Sequence, residues 1–252
     1  MNGLTIIDMH THIWRGRYES DERQLLQAIE RYGLRRIYVS ALGGYTPDEE
    51  TVDELNARTA DFVRRYPDRV SGYVYVSPEH KNALDVLRRG IEEQGLSGLK
   101  LWVSTYCDEP CVFPLIEYCE DNGLPVLVHS FHKANGQVAS ETVGKNVAVL
   151  ARRYPKAKLI MAHLGGNCYN GVPAIRDCKN VWCDYCGSIF RGDELNYAVE
   201  QLGADRLLYG TDMPGSFVVN IGQALEADIT DADRDKILYR NTEKLFDRSF
   251  RL

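Results

Sequence analysis

Eight short apolar runs rich in Val, Ile, Leu and Tyr recur at fairly even intervals along the chain: "LTIIDMH", "RRIYVSA", "RVSGYVYVS", "LSGLKLW", "LPVLVHS", "AKLIMAHLGG", "NVWCDYCG" and "RLLYGTDMP". Between them lie segments whose apolar residues repeat with helical spacing, among them "DERQLLQAIERYG", "DELNARTADFVRRYP", "ALDVLRRGIEEQG", "FPLIEYCEDNG", "ETVGKNVAVLARRYP" and "DELNYAVEQLG". Several of these close with Gly or with Tyr-Pro, both natural helix stops. Strands alternating with helices require a parallel sheet, because each crossover returns the chain to the same end. Eight such units with no composition break or Pro/Ser-rich linker predict an α/β fold with a single domain over residues 1–252, a closed (β/α)8 barrel of the TIM type. No glycine-rich phosphate loop follows the first strand, which removes the usual support for a nucleotide-binding open sheet. The final "DRDKILYRNTEKLF" reads as a helix, a break at Asn241 and a short closing helix capped by that residue.

Composition narrows the partners. The chain has 252 residues and a formal net charge of -6, with no concentrated basic stretch, so the footprint of a nucleic-acid binder is missing. No basic segment leads into an apolar one at the N-terminus, and no apolar stretch is long enough to cross a bilayer, so a soluble, cytoplasmic protein that binds no membrane is expected. Seven cysteines without a secretion signal read as reduced thiols. The C-x-x-C of "CDYC" raises a structural zinc site, but residues three apart on a strand face opposite sides, so small buried side chains are the better reading for Cys183 and Cys186.

The polar residues fall in one place. Barrel enzymes carry their chemistry at the C-terminal ends of the strands. His10 and His12 end the first predicted strand, His129 the fifth, His163 the sixth and Asp212 the eighth. In an H-x-H on a strand both rings project the same way, about 6.5–7 Å apart along the backbone, a spacing that two ligands of one ion can use. Buried imidazoles and carboxylates in such apolar runs are costly unless paired or bound to metal. Five of them converging on one rim predict a divalent metal site with nitrogen and carboxylate ligands, which suits zinc first, with iron, manganese, cobalt or nickel as alternatives.

The "DMHTH" start, "VHS" at the fifth strand, "AHLGG" at the sixth, "YGTDMP" at the eighth and the terminal "NTEKLF" resemble the amidohydrolase superfamily over essentially the whole chain. They are similar, more narrowly, to the amidohydrolase-related branch that includes aminocarboxymuconate-semialdehyde decarboxylase. The resemblance implies that His10, His12, His129 and Asp212 bind one divalent metal. His163 then stands beside it as a general acid/base or a polariser of substrate, and Asp212 also hydrogen-bonds the metal-bound water. Asp8 is expected one layer deeper, orienting a histidine or a lysine, with plain interior packing as the alternative. Lys100 is open to three roles: a carboxylated bridge between two metals, a charge partner or substrate contact, or a solvent-facing residue. Homodimerisation follows from the resemblance alone.

Water activated on a divalent ion leads directly to hydrolysis of an amide, lactone or similar carbonyl bond in a small molecule, with Asp212 moving the proton and His163 polarising the carbonyl. Nonoxidative decarboxylation uses the same ligands and is the alternative; a noncatalytic metal-binding barrel is a third. Arg15, Arg17, His132 and Lys133 are candidate cations for a substrate carboxylate. Tyr45, Tyr106 and Phe131 are candidate apolar walls, and Asn167, Tyr169, Ser188 and Arg191 further pocket residues.

Overall fold

All eight apolar runs become strands of one parallel sheet: β1 (Ile6–Trp14), β2 (Leu34–Leu42), β3 (Val70–Tyr75), β4 (Gly98–Leu101), β5 (Pro125–Val128), β6 (Lys158–Met161), β7 (Val181–Asp184) and β8 (Leu207–Leu208). They are hydrogen-bonded to one another in sequence order, β1 to β8. The computed structural model describes residues 3–187 and 192–250, so Ser188 and Arg191 lie outside the described residues. The sheet closes on itself past the short β8: Met9 N donates to Tyr209 O, Thr211 N and Asp212 N both donate to His10 O, and Thr11 bridges Asp212 in parallel register. The result is the expected (β/α)8 barrel.

The helices are α1 (Tyr18–Tyr32), α2 (Glu49–Arg65), α3 (Ala83–Glu92), α4 (Phe113–Asn122), α5 (Gly144–Arg153), α6 (Cys168–Ile175), α7 (Gly192–Leu202) and α8 (Phe217–Glu226). Their limits follow local chemistry. The Asp48 side chain accepts from Thr51 N at the start of α2, while Gly33 and Gly123 end α1 and α4 in the left-handed conformation. Helices α6 and α8 are absent from the periodicity reading, because α6 contains Gly171 and Pro173 and α8 opens on Phe-Val-Val, all of which mask helical spacing. The C-terminal segment also departs from expectation. Residues 231–246 run as one helical stretch with a wide turn at 236–240, and Asn241 caps nothing; its amide donates to Ala204 O and Leu207 O, pinning the stretch to β8.

Two apolar layers result. The larger lies between the strands and their surrounding helices. The smaller fills the barrel below the histidines with Ile7, Met9, Tyr73, Leu127 and Ile160 among others, stoppered by Tyr239, Phe246 and Phe250 of the C-terminal segment. Among the described residues no helix is long and apolar enough to cross a membrane. No disulfide forms among the seven cysteines. Cys183 packs in the outer apolar layer while Cys186 meets His10 and His163, so the C-x-x-C pair does not share a site.

Candidate metal centre

The two histidines of β1 lie inside the strand, which continues to Trp14, and both rings are buried. His10 Nδ1 is 2.9 Å from Asp184 Oδ2, and His12 Nδ1 is 3.2 Å from Ser40 O and 2.9 Å from Ser40 Oγ. A carboxylate and a carbonyl accept hydrogen bonds, so each ring carries its proton on Nδ1 and keeps a lone pair on Nε2. Burial, reinforced by the charge of Lys100, holds both rings well below the usual histidine range, and both are therefore neutral.

The two Nε2 atoms are 3.0 Å apart, and Asp212 Oδ1 stands 3.5 Å from each. Two lone pairs facing each other beside a carboxylate repel unless a cation lies among them. Nitrogens bound to one ion at about 2.0–2.1 Å are separated by about 2.9 Å at a right angle and about 3.4 Å at the tetrahedral angle. The observed triangle fits both, so this donor set suits a divalent ion.

Local backbone strain aims the remaining groups. Asp212 has φ 63°, and His163, Leu164, Gly165 and Gly166 follow with φ 62°, 48°, 78° and 76°. Left-handed conformations in non-glycine residues cost about 1–3 kcal/mol each and persist where surrounding contacts fix them. Here Asp184 Oδ1 accepts from His163 N at 2.9 Å, and His132 N donates to Gly165 O. At Gly166 a Cβ would stand 2.6 Å from His132 N, so that position requires glycine. His163 Nδ1 is 2.9 Å from Cys186 O, which fixes its proton there and leaves Nε2 facing Asp212 Oδ1 at 4.0 Å.

His129 takes a different stance from the other three histidines. Its ring lies 5.1 Å from that of His163, but Nε2 is 2.9 Å from Glu141 Oε1, which leaves Nδ1 as the atom with a lone pair. Burial lowers its pKa to about 4. Among the described residues two groups of potential ligands lie close together, the triad His10, His12 and Asp212, and His10, His163, Asp184 and Cys186; His129 stands outside both. For Glu141, burial alone would raise the carboxyl; hydrogen bonds from His129 and Lys133 outweigh it and hold the pKa down to about 2.

Lys100 is wholly buried, with Nζ 3.1 Å from His10 Nε2. A solvent-facing role is thereby ruled out. Burial depresses its pKa to about 8. Asp8 sits deeper but orients no histidine ring or lysine: it accepts from His10 N at 3.1 Å and from the Thr211 hydroxyl at 2.7 Å, tying β1 to the loop after β8. Burial raises its pKa to about 8. The carboxylate expected to orient a ring is instead Asp184, at the end of β7. Sequence reasoning passes over it, although it occupies the same place in its unit as His129, His163 and Asp212 do in theirs.

A cavity of ≈ 350 Å³ opens above the triad, lined by His12, Trp14, Tyr45, Trp102, Val103, His129, Phe131, Lys133, Glu141, His163, Asp212 and Met213. Trp14, Trp102 and Tyr45 meet edge to face along one side, with centroids 5.7 and 5.3 Å apart; Phe131 stacks on His129 on another. Tyr45, Phe131 and Lys133 thus reach the cavity as expected. Other candidates do not. Arg15 pairs with Glu54 and Arg17 with Asp21, because α1 and α2 present carboxylates nearer than the cavity. Tyr106 is exposed and does not line it, His132 lines a separate cleft, Asn167 caps α6, and Tyr169 packs on Tyr197.

Comparison with known proteins places the chain among relatives of the same fold. A family model described as Amidohydrolase matches residues 7–248. A gamma-resorcylate decarboxylase from Polaromonas sp. (strain JS666 / ATCC BAA-500) is 25% identical over 263 residues, covering 82% of this chain and 79% of that protein. Two solved structures share the fold: a dihydroxybenzoic acid decarboxylase from Polaromonas sp. JS666 with bound manganese and the inhibitor 2-nitroresorcinol (TM-score 0.74, 19% identity, 98% of each chain covered), and a 5-carboxyvanillate decarboxylase from Sphingomonas paucimobilis (TM-score 0.74, 17% identity, 97% of this chain and 99% of that one).

Proposed function

The chain belongs to the amidohydrolase family, whose model spans nearly all of it, and from that premise we propose that it is a metal-dependent nonoxidative decarboxylase of a small ring-bearing carboxylic acid. The observation that carries this reading is the meeting of two imidazole nitrogens that carry lone pairs and the Asp212 carboxylate beneath a cavity walled by aromatic rings, with His163 Nε2 facing the same point. The three relatives named above are decarboxylases, which favours this chemistry over hydrolysis, although hydrolysis would use the same ligands.

In this mechanism His10, His12 and Asp212 would hold the ion, with His129, whose ring Glu141 fixes, as a further candidate ligand. A divalent ion there would supply positive charge for a substrate carboxylate and for negative charge that develops during the reaction. The rings of Trp14, Trp102, Tyr45 and Phe131 orient the substrate and exclude water. The bond between the ring carbon and its carboxylate breaks, carbon dioxide leaves, and the electron pair stays on the ring carbon. His163 takes up a second proton on Nε2 while its Nδ1–H stays on Cys186 O, delivers that proton to the carbon and regains one from solvent. Zinc and manganese both suit the donor set.

The test is metal content by mass spectrometry together with carbon dioxide release from 2,6-dihydroxybenzoate and related ring acids, run in D2O. About one equivalent of a divalent transition metal is expected, with deuterium at the vacated carbon. Both should disappear in the His10→Ala/His12→Ala double variant. Hydrolysis of lactones or amides by the loaded protein, without carbon dioxide release from any acid, would overturn the decarboxylase reading.

A further inference from the structure

We propose that Lys133 is the pocket's specificity residue, donating a hydrogen bond to an uncharged oxygen on the substrate, a hydroxyl or carbonyl, and that its pairing with Glu141 disfavours a second carboxylate there. The inference deepens the reading above and rests on it for the placement of the substrate's first carboxylate at the triad. Among the described residues that line the cavity, Lys133 is the one lysine or arginine. An otherwise aromatic chamber therefore has one cationic donor away from its floor.

That donor is held in place. Lys133 Nζ donates to both carboxylate oxygens of Glu141, at 2.8 and 2.7 Å, and lies 5.5 Å from the centre of the Phe131 ring. Its own backbone N–H is fixed by Gln137 Oε1 at 2.9 Å, and Gln137 Nε2 returns to Phe131 O at 2.8 Å. An ammonium has three N–H donors. Two are committed to Glu141, while the side chain remains 30% exposed, which leaves one donor for a ligand in the cavity. Glu141 is saturated by comparison: it also accepts from His129 Nε2, Gln137 Nε2 and Val138 N, and has no lone pair left to seek a partner.

Charge then sets the preference. Lys133 and Glu141 together are neutral, so a neutral hydroxyl or carbonyl oxygen accepts the free N–H at no electrostatic cost. A second carboxylate at the same place meets the Glu141 charge within one side-chain length of the ammonium. A hydrogen bond to a charged donor corresponds to a preference of about tenfold for ring acids that carry the extra oxygen.

The test reads binding without turnover, through the fluorescence of Trp14 and Trp102 in the cavity wall. Benzoate, 3- and 4-hydroxybenzoate, and the benzene-1,3- and 1,4-dicarboxylates are titrated into metal-loaded wild type, Lys133→Met and Lys133→Arg. At least one hydroxybenzoate should bind wild type about tenfold more tightly than benzoate, and neither dicarboxylate should gain. Lys133→Met should erase that gap, and Lys133→Arg, which retains the donor, should preserve much of it. A gap unchanged in Lys133→Met, a dicarboxylate preferred over both hydroxybenzoates, or no binding of any ring acid to wild type would overturn the proposal. Carbon dioxide release is measured separately, so tight binding with an intact Lys133 effect but no turnover would count against the decarboxylase reading alone.

Discussion

Lys100 and Lys158 are both buried inside this barrel, one beside the histidines and one at the opposite end, and their surroundings differ in kind. Lys158 Nζ donates to three main-chain carbonyls, Gly123 O, Leu245 O and Asp247 O, at 3.1, 3.1 and 2.9 Å, and lies 5.2 Å from the Phe250 ring centre. Its charge stitches the C-terminal segment to the floor of the barrel. Lys100 Nζ meets an imidazole nitrogen, His10 Nε2, one of the lone pairs that a metal ion would claim. Around Lys158 the chain meets the needs of its own buried charge. Around Lys100 the polar groups converge on a point that protein atoms alone leave short of positive charge. Buried polarity is costly in both places, so the difference separates a device for stability from a device for chemistry.

The most direct way to break this contrast is Lys158→Met. Three carbonyls would lose a charged donor in a dry setting, and stability to urea should fall by about 2–4 kcal/mol, while the metal content of the folded fraction stays unchanged. A loss of metal in that fraction would mean that the two ends of the barrel are coupled. Asp184→Asn probes the other end. The amide cannot accept from His10 Nδ1 and hold the His163 turn as the carboxylate does, so metal affinity should fall by about 10–100-fold. Competition with a fluorescent chelator reads that change, and urea midpoints should move little by comparison.

The barrel was legible because its signals are periodic. A strand buried on both faces reads as an apolar run and a surface helix as a 3.6-residue repeat, and neither depends on distant partners. The histidines and Asp212 were legible for a related reason: each ends such a run, and the fold gathers those ends onto one rim. What escaped was partnership. The short, irregular α6 and α8 broke the periodicity. Asp184 was hidden inside "WCDYC", where the reading weighed the cysteines, as zinc ligands and then as small buried side chains, and not the carboxylate between them. Glu141 opens "ETVGKN" and reads as the exposed start of a helix, yet the helix begins at Gly144 and Glu141 is buried under Lys133 and His129. Arg15 and Arg17 failed in the opposite sense, because sequence shows a cation near the rim but not the carboxylates of α1 and α2 that take it.

The finest probe of the contrast is the pH dependence set by Lys100 itself in metal-free protein. Burial lowers its pKa from 10.5 to about 8, so between those values the unfolded chain holds a proton that the folded one has released. Stability then rises with pH across that window, because the unfolded state binds more protons. The slope is at most about 1.4 kcal/mol per pH unit for one group. Lys100→Met removes the group and should flatten the wild-type slope between pH 8 and 10.5; the variant should also be the more stable protein at pH 7, where wild type folds around a buried ammonium. If wild type and Lys100→Met instead run parallel from pH 8 to 10.5 in urea titrations, the ammonium beside His10 is as well accommodated as the one beneath the barrel, and the distinction between the two lysines fails.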